Sequence, residues 1–168
     1  QKANYPYSCY HATGFTIGSK GYVGTGRLQN NSYTTDFFEY DPITNAWSVI
    51  ASFPGTPRRG AVSFVVDNKG FVGTGQSTGG GSNNFYAYNP TNGTWTAVAS
   101  FPGSARTSSV AFSIANIGYV GTGNSGGGTL DFWAYYPATN DWIQKPNVGF
   151  TPRQEATGFA VGGKGYIG

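Results

Sequence analysis

The sequence contains few residues that could support metal or thiol chemistry. Its 168 residues include one cysteine, Cys9, one histidine, His11, and no methionine. A single cysteine excludes an internal disulfide framework and a cysteine-rich zinc site, and a single histidine excludes a site with several histidine ligands. We therefore predict no metal site and no cofactor. Because methionine is absent, residue 1 is not an initiator, and we expect a processed or truncated start.

Charged residues are also scarce. They make up 10% of the chain, and the net charge of +3 comes from ten basic and seven acidic side chains that are scattered along it. No basic run or basic amphipathic helix is present that would bind nucleic acid or an anionic membrane. No apolar run approaches the length of about 18 residues that a membrane-spanning helix needs, and no signal-peptide pattern occurs. We predict no nucleic-acid partner and no membrane insertion.

Glycine and aromatic residues are abundant instead. The chain has 27 Gly, 12 Tyr, 12 Phe and 4 Trp. Disordered chains are poor in aromatic residues and rich in charge, which argues against disorder here. Glycine at this density weakens helices, whereas Tyr, Phe and Trp favour strands. The composition therefore predicts an all-β protein.

A glycine-rich motif recurs at a nearly constant interval. Its copies begin at Gly21, Gly70, Gly118 and Gly165 and read GYVGTG, GFVGTG, GYVGTG and GYIG, at intervals of 49, 48 and 47 residues. A Tyr and a Trp seven positions apart follow each complete copy, namely Tyr40 with Trp47, Tyr88 with Trp95, and Tyr135 with Trp142. An interval of this length is typical of repeat architectures. The chain therefore contains three full units and part of a fourth.

Each unit divides into four short strands that are separated by turn residues. In the second unit the predicted strands cover residues 61–66, 70–73, 85–89 and 94–99. The variation in length between units falls in the Gly-, Asn- and Ser-rich loop after the second strand, as expected of an exposed loop. A four-stranded antiparallel sheet with two apolar faces must stack on its neighbours, and radial closure achieves this.

The predicted fold is a β-propeller with blades at approximately residues 8–52, 57–100 and 105–146 and a partial blade at 152–168. Closed propellers have about four to eight blades. Three blades and half of a fourth therefore form an incomplete ring. The chain starts in an outermost strand and stops in a second strand, so we expect further sequence, in preference to ring closure by a second copy.

These residues resemble the kelch-repeat propellers. In that family a glycine pair ends the second strand, the Tyr and Trp follow at this spacing, and an Arg often opens the next blade. Arg58, Arg106 and Arg153 stand at the arginine position, Cys9 replaces it in the first unit, and the glycine pair reads Thr-Gly in each complete unit. The GYVGTG variant is similar to kelch proteins that some bacteria export, which implies an extracellular or cell-surface location. The resemblance covers the whole chain and is specific for fold, but a fold does not define function.

The candidate binding residues lie at the end of the predicted propeller where two kinds of loop come together. In an up-and-down sheet, the loop after the second strand and the link to the next blade share one end, which gives a polar, cationic rim. Guanidinium groups offer paired hydrogen bonds to carboxylates or sugar hydroxyls. Alternatively, the recurring arginine ties neighbouring blades through backbone carbonyls, and Arg59, which has no counterpart, is then the better ligand residue. The candidates are Arg58, Arg59, Arg106, Arg153, Asn30, Gln76 and Asn124.

No catalytic constellation is visible in the sequence. Cys9 and His11 fall at the entry to a first strand, where packing and hydrogen bonding account for both without chemistry. The kelch resemblance leaves two enzymatic alternatives, a galactose-oxidase-like copper oxidase and a sugar mutarotase. A copper site of the first kind uses two tyrosines and two histidines, and the chain has one histidine, so either site would lie mostly in blades outside this sequence.

The sequence therefore predicts a non-enzymatic, exported kelch propeller that binds a protein or a glycan through its loop-rich face. The first alternative is one of the two carbohydrate-active enzymes. The second is a structural subunit of a larger bacterial surface or secretion assembly.

Overall fold

The computed structural model describes residues 1–149 and 151–168, in which the regular elements are strands. The first repeat forms β1 (Cys9–Tyr10), β2 (Thr13–Ile17), β3 (Lys20–Gly24), β4 (Arg27–Leu28), β5 (Phe37–Asp41) and β6 (Ala46–Ile50). The second forms β7 (Val62–Val66), β8 (Lys69–Gly73), β9 (Gln76–Ser77), β10 (Gly80–Gly81), β11 (Phe85–Asn89) and β12 (Thr94–Val98). The remainder forms β13 (Val110–Ile114), β14 (Ile117–Gly121), β15 (Phe132–Tyr136), β16 (Asp141–Lys145), β17 (Gly158–Val161) and β18 (Lys164–Ile167).

Antiparallel pairing groups these strands into blades. Blade I has the order β2-β3-β5-β6, blade II has β7-β8-β11-β12, blade III has β13-β14-β15-β16, and blade IV consists of β17 and β18. The first strands of successive blades are neighbours, so the sheets stack around an axis with these strands innermost. The predicted all-β fold of four-stranded antiparallel blades is confirmed. In blade II the predicted strand ends differ from the observed ones by at most one residue.

The seven-residue spacing of Tyr and Trp reflects strand register. Each pair consists of directly opposed residues on the third and fourth strands of a blade, Tyr40 with Trp47, Tyr88 with Trp95, and Tyr135 with Trp142. The rings of each pair lie close together, with centroids 4.9 to 5.1 Å apart. The spacing is therefore fixed by a hairpin whose turn has the same length in all three blades.

The same tryptophans hydrogen-bond across each blade junction. The indole N–H of Trp95 donates to the carbonyl oxygen of Ala51 at 2.9 Å, and that of Trp142 donates to Ala99 at 2.9 Å. Trp47 donates in the same way to Ala3, at 3.2 Å. In each case the acceptor lies just beyond an outermost strand or, for Ala3, in the corresponding place beside blade I. An aromatic ring that is buried at Trp142 and half-buried at Trp47 and Trp95 thus carries one directed hydrogen bond.

An asparagine reinforces two of these junctions. The side-chain oxygen of Asn140 accepts the backbone N–H of Ala99 at 2.8 Å and the hydroxyl of Tyr135 at 2.8 Å. Burial raises the pKa of Tyr135 to about 12, so this hydroxyl keeps the proton that it donates. Asn45 accepts the equivalent bonds from Ala3 and Tyr40. Blade II has Gly93 at this position, with the same left-handed backbone.

The first glycine of the recurring motif admits an aromatic ring from the preceding blade. A Cβ atom at Gly70 would collide with the ring of Phe15, and one at Gly118 would collide with the ring of Phe64. These rings fill the space between sheets, where the rings of Phe64 and Phe71 stack with centroids 5.0 Å apart. The motif therefore begins with glycine because two sheets approach closely there.

In the part of the chain that the structure describes, the core consists of two apolar clusters, one at each junction of complete blades. The cluster between blades I and II contains Phe15, Tyr22, Phe37, Phe53, Val72 and Tyr88. The cluster between blades II and III contains Val62, Phe64, Val66, Phe71, Phe85, Ala87, Phe101, Val120, Tyr135 and Trp142. Each cluster contains side chains from two neighbouring blades, so the stability of each blade depends on its neighbour.

The asparagine at the outer turn provides a matched pair of tests. We expect Asn140→Gly to lower the free energy of unfolding by about 1–3 kcal/mol, because two donors lose their acceptor. Gly93→Asn introduces the same acceptor in blade II and should raise stability by about 0.5–1.5 kcal/mol. Both exchanges suit a left-handed backbone, which glycine and asparagine tolerate. Urea unfolding followed by tryptophan fluorescence measures both, and a wild-type midpoint for Asn140→Gly would contradict the junction role.

Candidate functional site

Four equivalent residues form a collar around the mouth of the central channel. His11, Gly60, Ser108 and Glu155 precede the innermost strands, and each has a left-handed backbone with φ between 56° and 61°. The N–H of Gly60 donates to the carbonyl of His11 at 2.9 Å, that of Ser108 to Gly60 at 3.1 Å, and that of Glu155 to Ser108 at 3.0 Å. The collar is a run of main-chain hydrogen bonds that crosses every junction, so its side chains are free to differ.

At the first three collar positions, the preceding residue pairs with the residue after a Thr-Gly turn. Arg59 and Gln76 exchange two backbone hydrogen bonds, at 2.9 and 2.8 Å. Thr107 and Asn124 do the same at 3.0 and 2.8 Å. The guanidinium of Arg59 also donates to the side-chain oxygen of Gln76 at 3.0 Å. Three of the predicted binding residues are therefore held by backbone pairs rather than by mobile loops.

These side chains converge on one polar depression, which we call the mouth pocket. Its central part is a cavity of about 90 Å³, lined by His11, Arg59, Gly60, Gln76, Thr107, Ser108, Asn124 and Glu155. A second cavity, of about 370 Å³, adjoins it between blades II and III and shares Gln76, Thr107 and Asn124. The central part of the mouth pocket thus combines a guanidinium, two amides, two hydroxyls, an imidazole and a carboxylate on the loop-rich face.

Four predicted binding residues lie outside the mouth pocket, namely Asn30 and Arg153 near the surface and the buried Arg58 and Arg106. Asn30 is exposed, and its side-chain oxygen accepts bonds from the backbone and hydroxyl of Ser32 in its own loop. Arg153 is half-buried, and its Nε donates to the carbonyl of Thr151 at 3.4 Å. Neither lines the mouth pocket.

The sequence reasoning missed His11, Thr107, Ser108 and Glu155 as pocket residues. They occupy the repeat positions of Arg59 and Gly60 in the other units, so aligning the repeats could have found them. Tyr10 does not line the pocket but lies beside its lining residue His11. It holds the Arg59 position in the first unit, is 42% exposed, and lies beneath the guanidinium of Arg27, at 5.6 Å from its ring centroid.

Arg58 is buried and serves the framework. Its side chain is 0% exposed, and its Nη1 donates to the carbonyl of Thr74 at 2.8 Å and to the side-chain oxygen of Asn84 at 2.7 Å. The guanidinium lies 4.8 Å from the ring centroid of Phe53. Burial without a carboxylate partner lowers the pKa of Arg58 to about 10, which leaves it charged at neutral pH.

Arg106 repeats this arrangement with a carboxylate as partner. It is 1% exposed and donates to both side-chain oxygens of Asp131, at 2.6 and 2.8 Å. Burial alone would raise the pKa of Asp131, but hydrogen bonds from Arg106 and Trp133 outweigh it, and the pKa lies below its usual value. Two of the candidate binding arginines, Arg58 and Arg106, are therefore inaccessible to a ligand because their guanidinium groups are buried and hydrogen-bonded within their own blades.

The backbone of the recurring arginine supplies the tie to the preceding blade. The carbonyls of Arg58, Arg106 and Arg153 accept the N–H groups of Gly26, Gly75 and Gly123, at 2.8, 2.7 and 2.9 Å. Each such arginine thus joins the preceding blade through its main chain, and Arg58 and Arg106 also bond a carbonyl of their own blade through the side chain. The guanidinium groups of Arg58 and Arg106 thus have a structural role, but the bond between blades is made by the arginine main chain and not, as the alternative expected, by the side chain.

The Thr-Gly turn has an unusual backbone that this tie requires. Thr25, Thr74 and Thr122 are fully buried in the left-handed region, with φ of 55° to 57°, and their hydroxyls have no hydrogen-bond partner in the described part of the chain. A β-branched residue is rare in this conformation. The glycine that follows has φ near 100°, and at Gly26 a Cβ would crowd the backbone of Ala12. Glycine is therefore needed after the threonine, because its backbone conformation allows its N–H to donate to the arginine carbonyl of the next blade.

Cys9 occupies the arginine position in blade I. A thiol cannot make the side-chain hydrogen bonds that the guanidinium groups of Arg58 and Arg106 make in blades II and III. Burial raises the pKa of the Cys9 thiol, which therefore stays protonated and is not an activated nucleophile. Nearby, the hydroxyl of Tyr7 donates to Asp36 at 2.7 Å, and Asp36 holds the position of Asn84 and Asp131.

Two kinds of feature are absent from residues 1–149 and 151–168. No group of three or more His, Cys, Asp or Glu side chains is placed to hold a metal ion. No helix there has the length and apolar character needed to cross a bilayer.

Comparisons with known proteins agree with this architecture. Residues 1–167 match the family described as the KLHDC2/KLHL20/DRC7 Kelch-repeats domain. Among solved structures, one described as the structure of YjhT superposes with a TM-score of 0.82 over 99% of this chain, at 18% sequence identity. The chain spans 59% of the length of that structure, and at this identity the likeness concerns the fold alone. No curated protein matches the chain significantly.

The arginine junctions predict a specific pH dependence. Because the pKa of Asp131 is depressed in the folded state, its charge contributes stability above the unfolded pKa, and this contribution disappears as the pH falls through the folded pKa. We expect Asp131→Asn to lose about 1–2 kcal/mol near neutral pH, with the difference from wild type shrinking below about pH 4. Urea unfolding of both proteins at several pH values from 3 to 8 measures this difference in the free energy of unfolding.

The reciprocal exchange in blade II is the matched control. Asn84→Asp gives the buried Arg58 a carboxylate partner and should stabilise the protein by about 1 kcal/mol near neutral pH. A loss for Asp131→Asn that stays constant down to pH 3, or no gain for Asn84→Asp, would contradict the charged arginine junction.

Proposed function

Because this chain belongs to the kelch-repeat family, we propose that it is a non-enzymatic binding module that holds a protein partner on the mouth pocket. Kelch propellers generally serve as protein-interaction modules. The observation that carries the proposal is the convergence of Arg59, Gln76 and Asn124 on one depression at the loop-rich face. These three side chains differ from the repeat pattern, whereas the framework beneath them follows it.

The chemistry of the mouth pocket suits a polar peptide loop. Within the described part of the chain, the guanidinium of Arg59 makes one side-chain hydrogen bond, to Gln76, which leaves further N–H groups for a carboxylate or a peptide carbonyl. Thr107 lines the same space, and its hydroxyl donates to the carbonyl of Gly60 at 3.3 Å. Because the backbones of these residues are fixed in pairs, binding orders few groups and loses little conformational entropy.

A glycan is the second candidate ligand, and exposed Tyr10 favours it. This ring is next to His11, with the two ring centroids 5.4 Å apart, and His11 lines the mouth pocket. An exposed aromatic ring beside planar amide and guanidinium groups can stack on a sugar ring while those groups bond its hydroxyls. The exported location belongs to the proposal as well, and the similarity of the GYVGTG repeats to exported bacterial kelch proteins supports it.

The proposal predicts that Arg59→Ala combined with Asn124→Ala weakens partner binding by at least tenfold, since hydrogen bonds to charged groups contribute about 1.5–3 kcal/mol each. Partners are first recovered by affinity capture and mass spectrometry with the wild-type chain, and their affinities are then measured by biolayer interferometry. A glycan array run with the same variants tests the second ligand class.

The control is Ile43→Ser, which changes an 86% exposed residue on the opposite face. Both variants should unfold within about 2 °C of wild type, because neither changes the core or the main-chain bonds. Equal binding by wild type and the Arg59/Asn124 variant would refute the mouth pocket as the binding site. So would loss of binding by Ile43→Ser alone.

A further inference from the structure

A second concave site lies between blades II and III, on the face opposite the mouth pocket. It is a cleft of about 310 Å³, which is at the lower end of the range for small-molecule pockets, about 300–1,000 Å³. Its floor includes the buried residues Phe71, Ala87 and Tyr135, and its rim includes the exposed Lys69 and Asp67. We call it the outer cleft.

The equivalent cleft between blades I and II contains an ion pair. The ammonium of Lys20 lies 2.5 Å from Oε1 of Glu39, and the hydroxyl of Tyr22 donates to Oε2 of the same carboxylate at 2.8 Å. Burial and the hydrogen bond to Glu39 raise the pKa of Tyr22, so the hydroxyl remains a donor. In blade I the cation and the carboxylate are both supplied by the chain.

Blade II keeps the cation and lacks the carboxylate. Tyr22 is paired with Glu39 in blade I, and at the same register Phe71 is paired with Ala87 in blade II. Lys69 opens β8 as Lys20 opens β3. No ion pair of Lys69 occurs in residues 1–149 and 151–168. The outer cleft therefore has an apolar floor and an ammonium group where blade I has a complete ion pair.

We propose that the outer cleft binds a small carboxylate with an apolar body. The carboxylate takes the place that the Glu39 carboxylate occupies beside Lys20, and pairs with Lys69. The hydrocarbon part lies on Phe71 and Ala87, where its burial is favourable. Without its backbone, the side chain of Glu39 is a propionate, so short aliphatic carboxylates are the matching class. Asp67 lines the same cleft, and its negative charge disfavours such a ligand.

This inference is independent of the proposed function, since it concerns other residues on the other face. The probe is hexanoate, titrated into the ¹⁵N-labelled full chain and followed by NMR. We expect saturable shifts at the amides of residues 67–71, with hexanol and hexylamine giving weaker or no saturation. Lys69→Gln should raise the dissociation constant about tenfold, and Asp67→Asn should lower it several-fold.

The internal repeat offers a gain-of-function test. Glu39→Ala removes the carboxylate from the cleft between blades I and II and should create a second hexanoate site, with new shifts around Lys20. Ala87→Glu should remove the site in the outer cleft by filling it with a side-chain carboxylate, and Lys20→Gln should leave that site unchanged.

Three results would overturn the inference. The first is equal binding of hexanol and hexanoate, which would make the cleft merely apolar. The second is unchanged affinity in Lys69→Gln. The third is the absence of a second site in Glu39→Ala when this variant gives a folded spectrum.

Discussion

The contact on which the rest of the molecule depends is the close approach of one sheet to the next. It requires glycine at Gly70 and Gly118, so that the rings of Phe15 and Phe64 can enter the junction. Burial of these rings supplies the favourable free energy, and tryptophan indoles add one directed bond per junction. Since neither face of a blade is stable in water alone, the fold is set by the junctions rather than by any single sheet.

Main-chain groups and buried side chains satisfy the polar requirements of these junctions. The collar, the glycine-to-arginine carbonyl bonds and the guanidinium groups of Arg58 and Arg106 all lie within the framework. This separates stability from recognition, because collar and rim side chains can change without loss of a framework bond. The mouth pocket arises where one unit departs from the repeat, at Arg59. The outer cleft differs from its blade I equivalent because, among the three complete blades, blade I alone has a carboxylate at this position, Glu39, where blades II and III have Ala87 and Ala134.

Features set by spacing along the chain could be predicted from the sequence, whereas features set by contacts between blades could not. The strands, their order and the Tyr–Trp register follow from local patterns, and the structure agrees with them. The sequence pointed to Arg58 and Arg59 together, but only the three-dimensional arrangement shows that Arg58 is buried and Arg59 is not. The left-handed backbone of Thr25, Thr74 and Thr122 could not be predicted from the sequence either, because threonine rarely adopts this conformation. Aligning the repeats would have found the remaining pocket residues.

Amide hydrogen exchange tests most directly whether main-chain bonds across the junctions hold the framework. The account predicts that the amides of Gly75, Gly123 and Ser108 exchange nearly as slowly as the central strands of blades II and III, whereas those of residues 125–128 in the adjoining loop exchange much faster. Exchange of the three junction amides at the rate of the loop would contradict it.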